Sequence, residues 1–499
     1  MDERAQIPVG LPRENPTVSY WQDPPSYLAD TRTTAELPER ADIVIIGSGI
    51  TGAAIAWNLL GPDAEEQHGA HALPSVVMLE ARTACSGATG RNGGHTKAAS
   101  YRSFLDNAAI LGTAEAAKIA RLELANINAV HAFAKDHGIE CESRPCETVD
   151  VIYDEAQWRA AHEAVAAMRE ALGTDDPASV YAFHDPAAVR ERFFVAGEGD
   201  SKPLGAVSYA AGSLSAYKLG VGVLRCAVQR GLNLQTTTPV TELVQSASEG
   251  WKVSTPRGTI LAQKVVLATN GYTAHVWKPF QGAVVPLRGQ ITAHRPGANM
   301  PAGGLPGTYS FIYENGYEYM IPRTGKEIGS SSSLIDPRFT EEQRTGDIII
   351  GGGLGRAPQE GLLEYGTIDD TTINTDISKY LFDTTARYFG ENWGDDHPDG
   401  RIRREWTGIM GYSPDGFPFV GEVPGQKGLW TSCSFQGHGM VFCWMCAKGL
   451  VQMMRAQDEG SDSNSVLDEW FPEVFKITEE RMKKRFQGRL HTSSVEENS

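Results

Sequence analysis

The stretch ADIVIIGSGITGAAIAWNLL, residues 41–60, contains a short apolar run, a glycine-rich turn and the start of an amphipathic helix. This order is the context in which G-x-G-x-x-G indicates a dinucleotide-binding loop. Gly47 permits the tight turn, Gly49 lets the backbone approach a pyrophosphate, and Gly52 lets helix and strand pack closely. The helix N-terminus turns its N–H groups and the positive end of its dipole towards the phosphates. We therefore predict that a dinucleotide binds here.

A second apolar strand, SVVMLE, ends in Glu80, whose carboxylate is placed to accept hydrogen bonds from ribose hydroxyls. Glu80 lies 28 residues after Gly52, which exceeds the usual spacing of about 20. The polar insertion GPDAEEQHGAHALPS, residues 61–75, accounts for the excess. This acidic residue favours dinucleotide binding over a coincidental glycine-rich turn.

The composition is that of a globular protein with a small-molecule partner. Hydrophobic residues make up 41% and charged residues 21% of the 499 residues, and this length favours two connected domains. The net charge of −17 disfavours nucleic acid and anionic membranes as partners, because both would repel the chain. The charged start MDERAQIPVG and the lack of a long apolar run predict a soluble, cytoplasmic protein. Seven cysteines, an odd number, fit free thiols better than a disulfide framework.

Further segments favour a flavin over a nicotinamide as the dinucleotide's reactive end. ARTACSGATGRNGGH, residues 81–95, follows Glu80 at once, where a nicotinamide enzyme continues into another helix–strand unit. Such a loop lets the backbone lie flat against a planar ring; a flexible surface turn is the alternative. KVVLATNGY, residues 264–272, ends in a small-residue turn that can contact the dinucleotide from the far side. Residues 437–440, GHGM, predict a second helix N-terminus at the reactive end, where its positive dipole stabilises an anionic reduced flavin.

At this point the sequence resembles the flavin-dependent amine and amino-acid oxidoreductases of the D-amino-acid oxidase and sarcosine oxidase type. The resemblance rests on motifs that cover most of residues 41–455 in order: DIVIIGSGITG, LEARTACSGATGRNGGH, GSLSAYKL, VVLATNGY, VPLRGQI, GYSPDGFPFVGE and SFQGHGM. SGATGRNGGH is most similar to the γ-glutamylputrescine oxidase-like branch. The resemblance implies an α/β (α+β mixed) fold, in which a Rossmann-like FAD-binding domain is interleaved with a substrate domain built on a large mixed β-sheet.

The chain divides by composition and motif into an arm, two interleaved domains and a tail. We predict an extended N-terminal arm over residues 1–40, which docks Tyr20, Trp21 and Tyr27 on the body; a mobile tail is the alternative. The FAD-binding domain takes residues 41–105, 205–284 and 401–455, and the substrate domain takes 106–204 and 285–400. Residues 456–499 are predicted as a C-terminal helix and a polar tail.

The motif matches assign cofactor contacts to five segments. They are the phosphate loop, the end of the second strand, the second glycine-rich loop, the small-residue turn at 269–271 together with Val240, and the two motifs GYSPDGFPFVGE and SFQGHGM near the end of the chain. The residues are Gly47, Ser48, Gly49, Ile50, Thr51, Gly52, Glu80, Ala81, Arg82, Gly87, Ala88, Thr89, Arg91, Asn92, Gly93, Gly94, His95, Val240, Thr269, Asn270, Gly271, Asp415, Gln436, Gly437, His438, Gly439 and Met440.

Cysteine positions bear on how FAD is held. The sarcosine oxidase branch carries a flavin-bonded cysteine just before the SPDG-like motif, but the matching residues 406–410, WTGIM, contain none. Non-covalent FAD is the expectation, while Cys85 and Cys433 in flavin-side motifs keep a covalent bond open. Cys443 and Cys446 lie one helical turn apart on an apolar helix, which favours core packing over a redox or metal pair; we expect no metal.

Candidate catalytic residues come from the flavin-side loops and from the predicted sheet. Arg91, Asn92, His95 and His438 are assigned to the ring by the motif match, although His95 also suits a turn cap. Alternation in FIYENGYEYMIPR predicts one aromatic face of Phe311, Tyr313, Tyr317 and Tyr319, either an amine cage or ordinary core. Arg323 and Arg288 either hold a substrate carboxylate or serve elsewhere, and Trp406 is a candidate to close the pocket. The candidate catalytic residues are thus His95, His438, Tyr313, Tyr319, Arg323 and Trp406.

The resemblance implies oxidation of a C–N bond by hydride transfer to the flavin N5, hydrolysis of the imine, and reoxidation by O2 or an unknown electron acceptor. Val441 stands where sarcosine oxidases carry a lysine for the substrate carboxylate, so a larger amine is favoured over a simple N-methyl amino acid. Two rivals stay open. One is a flavin-dependent hydroxylase, and the other is a catalytically inactive flavoprotein that serves as a binding module.

Overall fold

The computed structural model describes residues 1–68, 72–197, 202–246, 250–301, 303–314, 316–324, 345–462 and 467–488. Two mixed β-sheets form the body, and helices cover them. The predicted α/β fold is therefore confirmed. The predicted strand beyond residue 324 and the polar tail at 491–499 lie outside the described residues.

The first sheet contains the predicted phosphate loop at the carboxyl end of its first strand. Its central strands run parallel, because apolar runs such as DIVII and VVLA are buried on both faces. The parallel strands are β1 (Arg40–Ile46), β2 (Val76–Leu79), β7 (Asn233–Gln235), β10 (Gly258–Leu267) and β17 (Leu429–Cys433). The antiparallel strands β8 (Glu242–Ser246), β9 (Gly250–Thr255) and β16 (Phe419–Glu422) complete it.

The second sheet is built mostly from antiparallel pairs and contains nine described strands. Its central row runs in the order β15, β11, β14, β13, β12, β4, β6, β3. The strands are β3 (His95–Thr96), β4 (Arg144–Ile152), β5 (Ala182–His184), β6 (Gly205–Ser213), β11 (Val285–His294), β12 (Thr308–Tyr313), β13 (Gly316–Thr324), β14 (Thr345–Gly351) and β15 (Ile402–Tyr412).

The helices begin and end where the sequence carries caps. Asp154 and Asp185 accept an N–H bond at the first turn of their helices, and Gly61 and Gly173 end theirs. The helices are α1 (Asp2–Ala5), α2 (Ile50–Leu60), α3 (Pro62–His68), α4 (Tyr101–Leu111), α5 (Thr113–Asp136), α6 (Glu155–Leu172), α7 (Pro186–Phe193), α8 (Ala216–Gln229), α9 (Thr273–Val276), α10 (Thr375–Phe389), α11 (Cys443–Glu459) and α12 (Glu479–Lys483).

The N-terminal arm docks two of its three aromatic residues. The Trp21 ring is 5% exposed and its Nε1 donates to the carbonyl of Asn92 at 2.6 Å. Tyr20 donates its hydroxyl to Asp347 at 2.8 Å. Tyr27 is 75% exposed, so its predicted docking is wrong.

The aromatic face predicted for the hairpin of β12 and β13 is also wrong. Phe311 pairs with Glu318 and Tyr313 with Gly316, so odd residues of β12 share a face with even residues of β13. The register, in which Tyr313 faces Gly316, causes this change of parity. Phe311 and Tyr313 therefore lie on the face opposite Tyr317 and Tyr319.

Sheet membership divides the chain differently from the domain boundaries that composition and motifs suggested. Residues 205–213 and 402–412, assigned there to the FAD-binding domain, form β6 and β15 of the second sheet. The two sheets are thus more interleaved along the chain than composition alone shows. The boundaries themselves stay a prediction.

Candidate active site

The phosphate loop has the geometry that its glycines predict. Gly47 has a φ of +106°, and a Cβ on it would lie 2.5 Å from the carbonyl oxygen of Ala268. A Cβ on Gly52 would lie 2.1 Å from the carbonyl oxygen of Gly47, so α2 can approach β1 only without a side chain there. A Cβ on Gly49 would point at Thr89 Oγ1, 3.1 Å away. The loop therefore packs closely against its protein neighbours and admits no side chain at Gly47 or Gly52.

Glu80 lies just after β2 and fixes the phosphate loop. Its Oε2 accepts the N–H of Ser48 at 3.1 Å and the Ser48 hydroxyl at 2.6 Å, and its Oε1 accepts the N–H of Arg82 at 2.9 Å. Thr238, two residues before Val240, donates its N–H to the Glu80 carbonyl at 2.8 Å. The structure thus brings together the phosphate loop, the acidic residue and the segment of Val240.

Three further predicted loops converge near the carboxyl ends of β10 and β17. Asn270 Oδ1 accepts the N–H groups of Ser434 at 3.0 Å and Phe435 at 3.4 Å, and Gln436 donates its N–H to the carbonyl of Gly411 at 3.0 Å. Asn270 and Gln436 have φ values of 46° and 55°, a left-handed conformation that clusters at ligand sites. Ligands of such sheets bind outside the carboxyl ends of the strands. The residues present therefore fit a dinucleotide such as FAD.

Arg91 anchors the second glycine-rich loop, and its predicted ring-facing role is wrong. The residue is 2% exposed, and its guanidinium donates to the carbonyls of Ser86 at 3.0 Å, Thr407 at 2.6 Å and Thr17 at 2.5 Å. Burial lowers the pKa of Arg91 to about 10, so the group stays cationic at neutral pH. The sequence could not show that the N-terminal arm supplies one of these acceptors.

The second sheet turns one face towards this loop. Cross-strand pairing places Asp150, Ser310, Tyr319, Ile291 and Trp406 in one row across the sheet, with Gly351 between Tyr319 and Ile291. We call this side, which carries Asp150, Ser310, Tyr319 and Trp406, the roof face. The indole Nε1 of Trp406 donates to the carbonyl of Arg91 at 2.9 Å, and Trp406 is fully buried. The roof face therefore lies directly against residues 91–95.

His95 lies on the roof face and is held there. It pairs with Ser213 of β6, and its Nε2 lies 2.7 Å from Thr308 Oγ1. Burial, with a smaller contribution from Lys97, lowers the pKa of His95 well below its ordinary value. The imidazole is therefore uncharged at neutral pH.

Two residues beyond His95, Lys97 forms a buried ion pair with Asp150. Lys97 Nζ also donates to Ser310 Oγ at 2.5 Å. The hydroxyls of Tyr101 and Tyr209 both donate to Asp150 Oδ2 at 2.8 Å. Burial lowers the pKa of Lys97 although Asp150 opposes the change, and burial raises the pKa of both tyrosines.

This ion-paired cluster was missed from the sequence. One signal was present: Asp150 is a lone charge in the middle of the apolar strand TVDVIY. A charge in that position needs a buried partner. Which cation supplies it depends on the fold and is not visible in the pattern.

Several other candidates lie away from the roof face or have protein partners. Tyr313 donates its hydroxyl to Glu318 on the far face of the sheet. Arg288 donates to Glu364 at 2.6 Å, and Arg323 pairs with Glu142 and lies over the Trp21 ring, 4.6 Å from its centroid. None of the three is therefore placed as a free substrate contact.

The carboxylate of Asp415, predicted as a cofactor contact, binds Arg481. Both its oxygens accept from that guanidinium at 2.9 Å. Burial alone would raise the pKa of Asp415, but Arg481 lowers it below its usual value. The side chain thus ties the SPDG motif to α12.

The helix N-terminus predicted after GHGM is capped by protein. Residues 439–441 form a 3₁₀ turn, and α11 begins only at Cys443. The N–H groups of Trp444 and Met445 donate to Asn126 Oδ1 at 2.9 and 3.0 Å. A helix therefore follows GHGM as predicted, but α11 begins two residues after Val441, and the effect of its dipole on the cofactor stays a prediction. His438 is exposed, and a Cβ on Gly437 would lie 3.3 Å from Met410 Sδ on the roof side of β15.

The cysteines of the flavin-side motifs are engaged in the core. Cys85 Sγ donates to the carbonyl of Ser48 at 3.1 Å, and Cys433 is fully buried. Burial raises the pKa of Cys433 to about 11 and of Cys443 to about 12. Cys443 and Cys446 pack in the main hydrophobic core, and the described residues show no group of three or more side chains able to hold a metal. Of the helices described, none has the length and apolarity to cross a membrane.

Comparison with known proteins identifies the family of this chain. The family model for FAD dependent oxidoreductases matches residues 42–453. A probable oxidoreductase, OrdL, of Rhizobium meliloti is 24% identical over 445 residues, which cover 86% of this chain and 88% of that protein. A glycine oxidase of Geobacillus kaustophilus is 21% identical over 408 residues, 81% of this chain and 90% of that protein.

Solved structures share the fold. The crystal structure of glycine oxidase from Geobacillus kaustophilus has a TM-score of 0.64 at 18% identity and covers 89% of this chain and 99% of that one. L-amino acid deaminase from Proteus vulgaris has a TM-score of 0.62 at 16% identity, with 90% and 96% covered.

Proposed function

The chain belongs to the family of FAD-dependent oxidoreductases and binds FAD, and from this premise we propose that it oxidises the C–N bond of an amine or an N-substituted amino acid. The observation that carries the proposal is the roof face. It encloses residues 91–95 of the flavin loop beneath Tyr319 and Trp406 and brings His95, Lys97 and Asp150 to one side of the sheet. Bound FAD supplies the hydride acceptor, its N5 atom.

The residues of the roof face suit an amine substrate. Trp406 is fully buried and Tyr319 lies against Gly93, so this part of the site excludes water. His95 is neutral, because burial lowers its pKa, and so does not repel a cationic amine. The Lys97–Asp150 pair adds no net charge. We propose that His95 orients the substrate while the amine, once deprotonated, presents its C–H bond for transfer.

The later steps need no further protein group. The product imine hydrolyses in water to a carbonyl compound and either ammonia, from a primary amine, or an amine, from an N-substituted substrate. We propose dioxygen as the final electron acceptor, with hydrogen peroxide as product. All seven cysteines are free, which supports a reducing compartment and hence the cytoplasm as the location.

Anaerobic reduction of the purified holoenzyme tests the proposal. A panel of amines, N-substituted amino acids and amino acids is mixed with the enzyme under argon, and the flavin absorbance is followed by stopped flow. At least one amine should bleach the flavin without a nicotinamide. Rapid bleaching by NADPH alone would support the hydroxylase instead, and no bleaching by any compound would support an inactive binding module.

A further inference from the structure

Asp370 lies where two arginines of the FAD-binding segments meet. Its side chain is 1% exposed and pairs with Arg82, whose Nη2 lies 2.9 Å from Oδ2 and whose Nη1 donates to Oδ1 at 3.2 Å. Arg91 Nε lies 3.7 Å from the same Oδ2. Asp370 follows Arg82 by 288 residues, so the fold alone brings the three side chains together.

The remaining partners of both guanidinium groups are uncharged. Arg82 also donates to the carbonyls of Arg13 at 3.0 Å and Ser86 at 3.4 Å, and Arg91 donates to carbonyls and to a hydroxyl of Thr17. The buried Arg91 and the partly exposed Arg82 therefore share one carboxylate in the contacts described. Together, Asp370, Arg82 and Arg91 have one net positive charge. Arg82 follows Glu80 by two residues in the sequence.

Two buried hydroxyls of the same region have no hydrogen-bond partner among the described residues: Ser86 Oγ and Tyr272 Oη. Tyr272 is close enough to Asp370, Arg82 and Glu80 for their charges to act on its hydroxyl. Buried polar atoms normally have a hydrogen-bond partner. A polar ligand that binds here would give both hydroxyls the partner that they lack. FAD, the dinucleotide of the family, carries phosphate and hydroxyl groups of that kind.

The same residue also fastens the N-terminal arm. Its carbonyl accepts the N–H of Thr17 at 2.8 Å and the Thr17 hydroxyl at 3.0 Å. The backbone contact does not depend on the side chain, so substitution of the carboxylate leaves it in place. The carboxylate can therefore be tested separately from the attachment of the arm.

We propose that Asp370 is a cofactor-positioning residue, which holds Arg82 and Arg91 at the FAD site through its carboxylate. Without that carboxylate, the two arginines turn towards other acceptors and the FAD-binding loops lose their arrangement. The effect is on FAD affinity and does not require that the proposed C–N oxidation be right. It also differs from direct contact, because Asp370 acts through the arginines.

Titration of apoprotein with FAD, followed by flavin fluorescence, tests the proposal. D370N should raise the Kd for FAD about 10- to 100-fold, the range expected when a hydrogen bond to a charged group is lost. R82Q should also raise the Kd, and the loss of FAD affinity in the double variant should be smaller than the sum of the two single losses, because both changes break the Arg82–Asp370 pair. D369N, a change in the same loop, serves as the control and should stay within about threefold of wild type.

An FAD affinity of D370N that equals or exceeds that of the wild type would overturn the proposal, as would additive losses in the double variant. A purely structural role would lower the Tm of the apoprotein and leave the Kd for FAD unchanged. Should D370N not fold, R82Q alone decides: unchanged FAD affinity in R82Q contradicts the proposal.

Discussion

The ring of Tyr319 on β13 lies directly against Gly93 of the second glycine-rich loop, residues 81–95. A Cβ on Gly93 would lie 2.6 Å from Cε2 of Tyr319 and 3.1 Å from Cδ1 of Ile321. The roof face and the loop are therefore in contact at a position that tolerates no side chain. This contact fixes the distance between the second sheet and residues 91–95.

Gly93→Ala should destabilise the holoenzyme and weaken FAD binding. Overpacking of this kind costs about 1–3 kcal/mol, because the Tyr319 ring or the loop must move. Gly303→Ala is the control, since a Cβ there meets nothing within 4 Å and Gly303 is not assigned to the FAD contacts. Thermal unfolding and FAD titration of both variants check the prediction. Equal behaviour of the two variants would show that the Gly93 contact is not tight in solution.

FAD should be released when the protein is precipitated with acid. The thiol of Cys85 donates a hydrogen bond to the Ser48 carbonyl, and Cys433 is fully buried in the first sheet, where burial raises its pKa. Neither thiol is therefore placed to form a covalent bond with the flavin. The absorbance of the supernatant and the pellet measures the outcome. A yellow pellet after washing would contradict non-covalent binding.

His95→Ala should slow anaerobic flavin reduction more than it weakens FAD binding. The imidazole is held by Thr308 on the roof face, and its proposed role is to orient the substrate. Loss of orientation costs about tenfold or more in rate. His397→Ala, in a surface loop, is the control. Equal losses of reduction rate and FAD affinity in His95→Ala would mark the residue as structural.

Stability should fall as the pH falls below about 6.5. Burial lowers the pKa of His131 to about 4 and of His294 to about 3, whereas both titrate near 6.5 in the unfolded chain. Between the folded and unfolded pKa values, the unfolded state therefore binds protons that the folded state does not. In that pH range each histidine lowers the free energy of unfolding by about 1.4 kcal/mol for each unit that the pH falls. Glu123 acts in the opposite direction, because burial raises its pKa to about 8.

Urea unfolding of wild type and His131→Gln between pH 7.5 and pH 5 checks this sign. The variant should be less stable at high pH, since the bonds to Thr96 and Ser143 at 2.8 and 2.7 Å are lost. The free energy of unfolding of the variant should nevertheless depend less on pH, because the variant takes up about one proton fewer on unfolding. Parallel curves for both proteins would show that His131 is not neutral in the folded state.

Local geometry was predictable from the sequence, and long-range partners were not. The roles of Gly47 and Gly52 follow from chain stereochemistry within a few residues, and the structure confirms both. The face of Tyr313 depends on the pairing register of β12 and β13, which alternation across a hairpin does not show. Arg91 was assigned by motif alone, yet its guanidinium binds residues 17 and 407.

The Lys97–Asp150 pair shows the same limit for the site. Each residue is visible in the sequence as an isolated charge between small or apolar neighbours. They meet because β3, which Lys97 follows, pairs with β6, and β6 pairs in turn with β4, the strand of Asp150. Strand order of this kind is a property of the whole fold.

The central claim, C–N oxidation, is tested most directly by product stoichiometry in a single anaerobic turnover. The enzyme is mixed under argon with an excess of an amine that bleaches its flavin, and the carbonyl compound and the released amine are quantified. We predict one equivalent of each per FAD reduced, with no nicotinamide present. Bleaching without a carbonyl product, or a requirement for NADPH, would contradict the account.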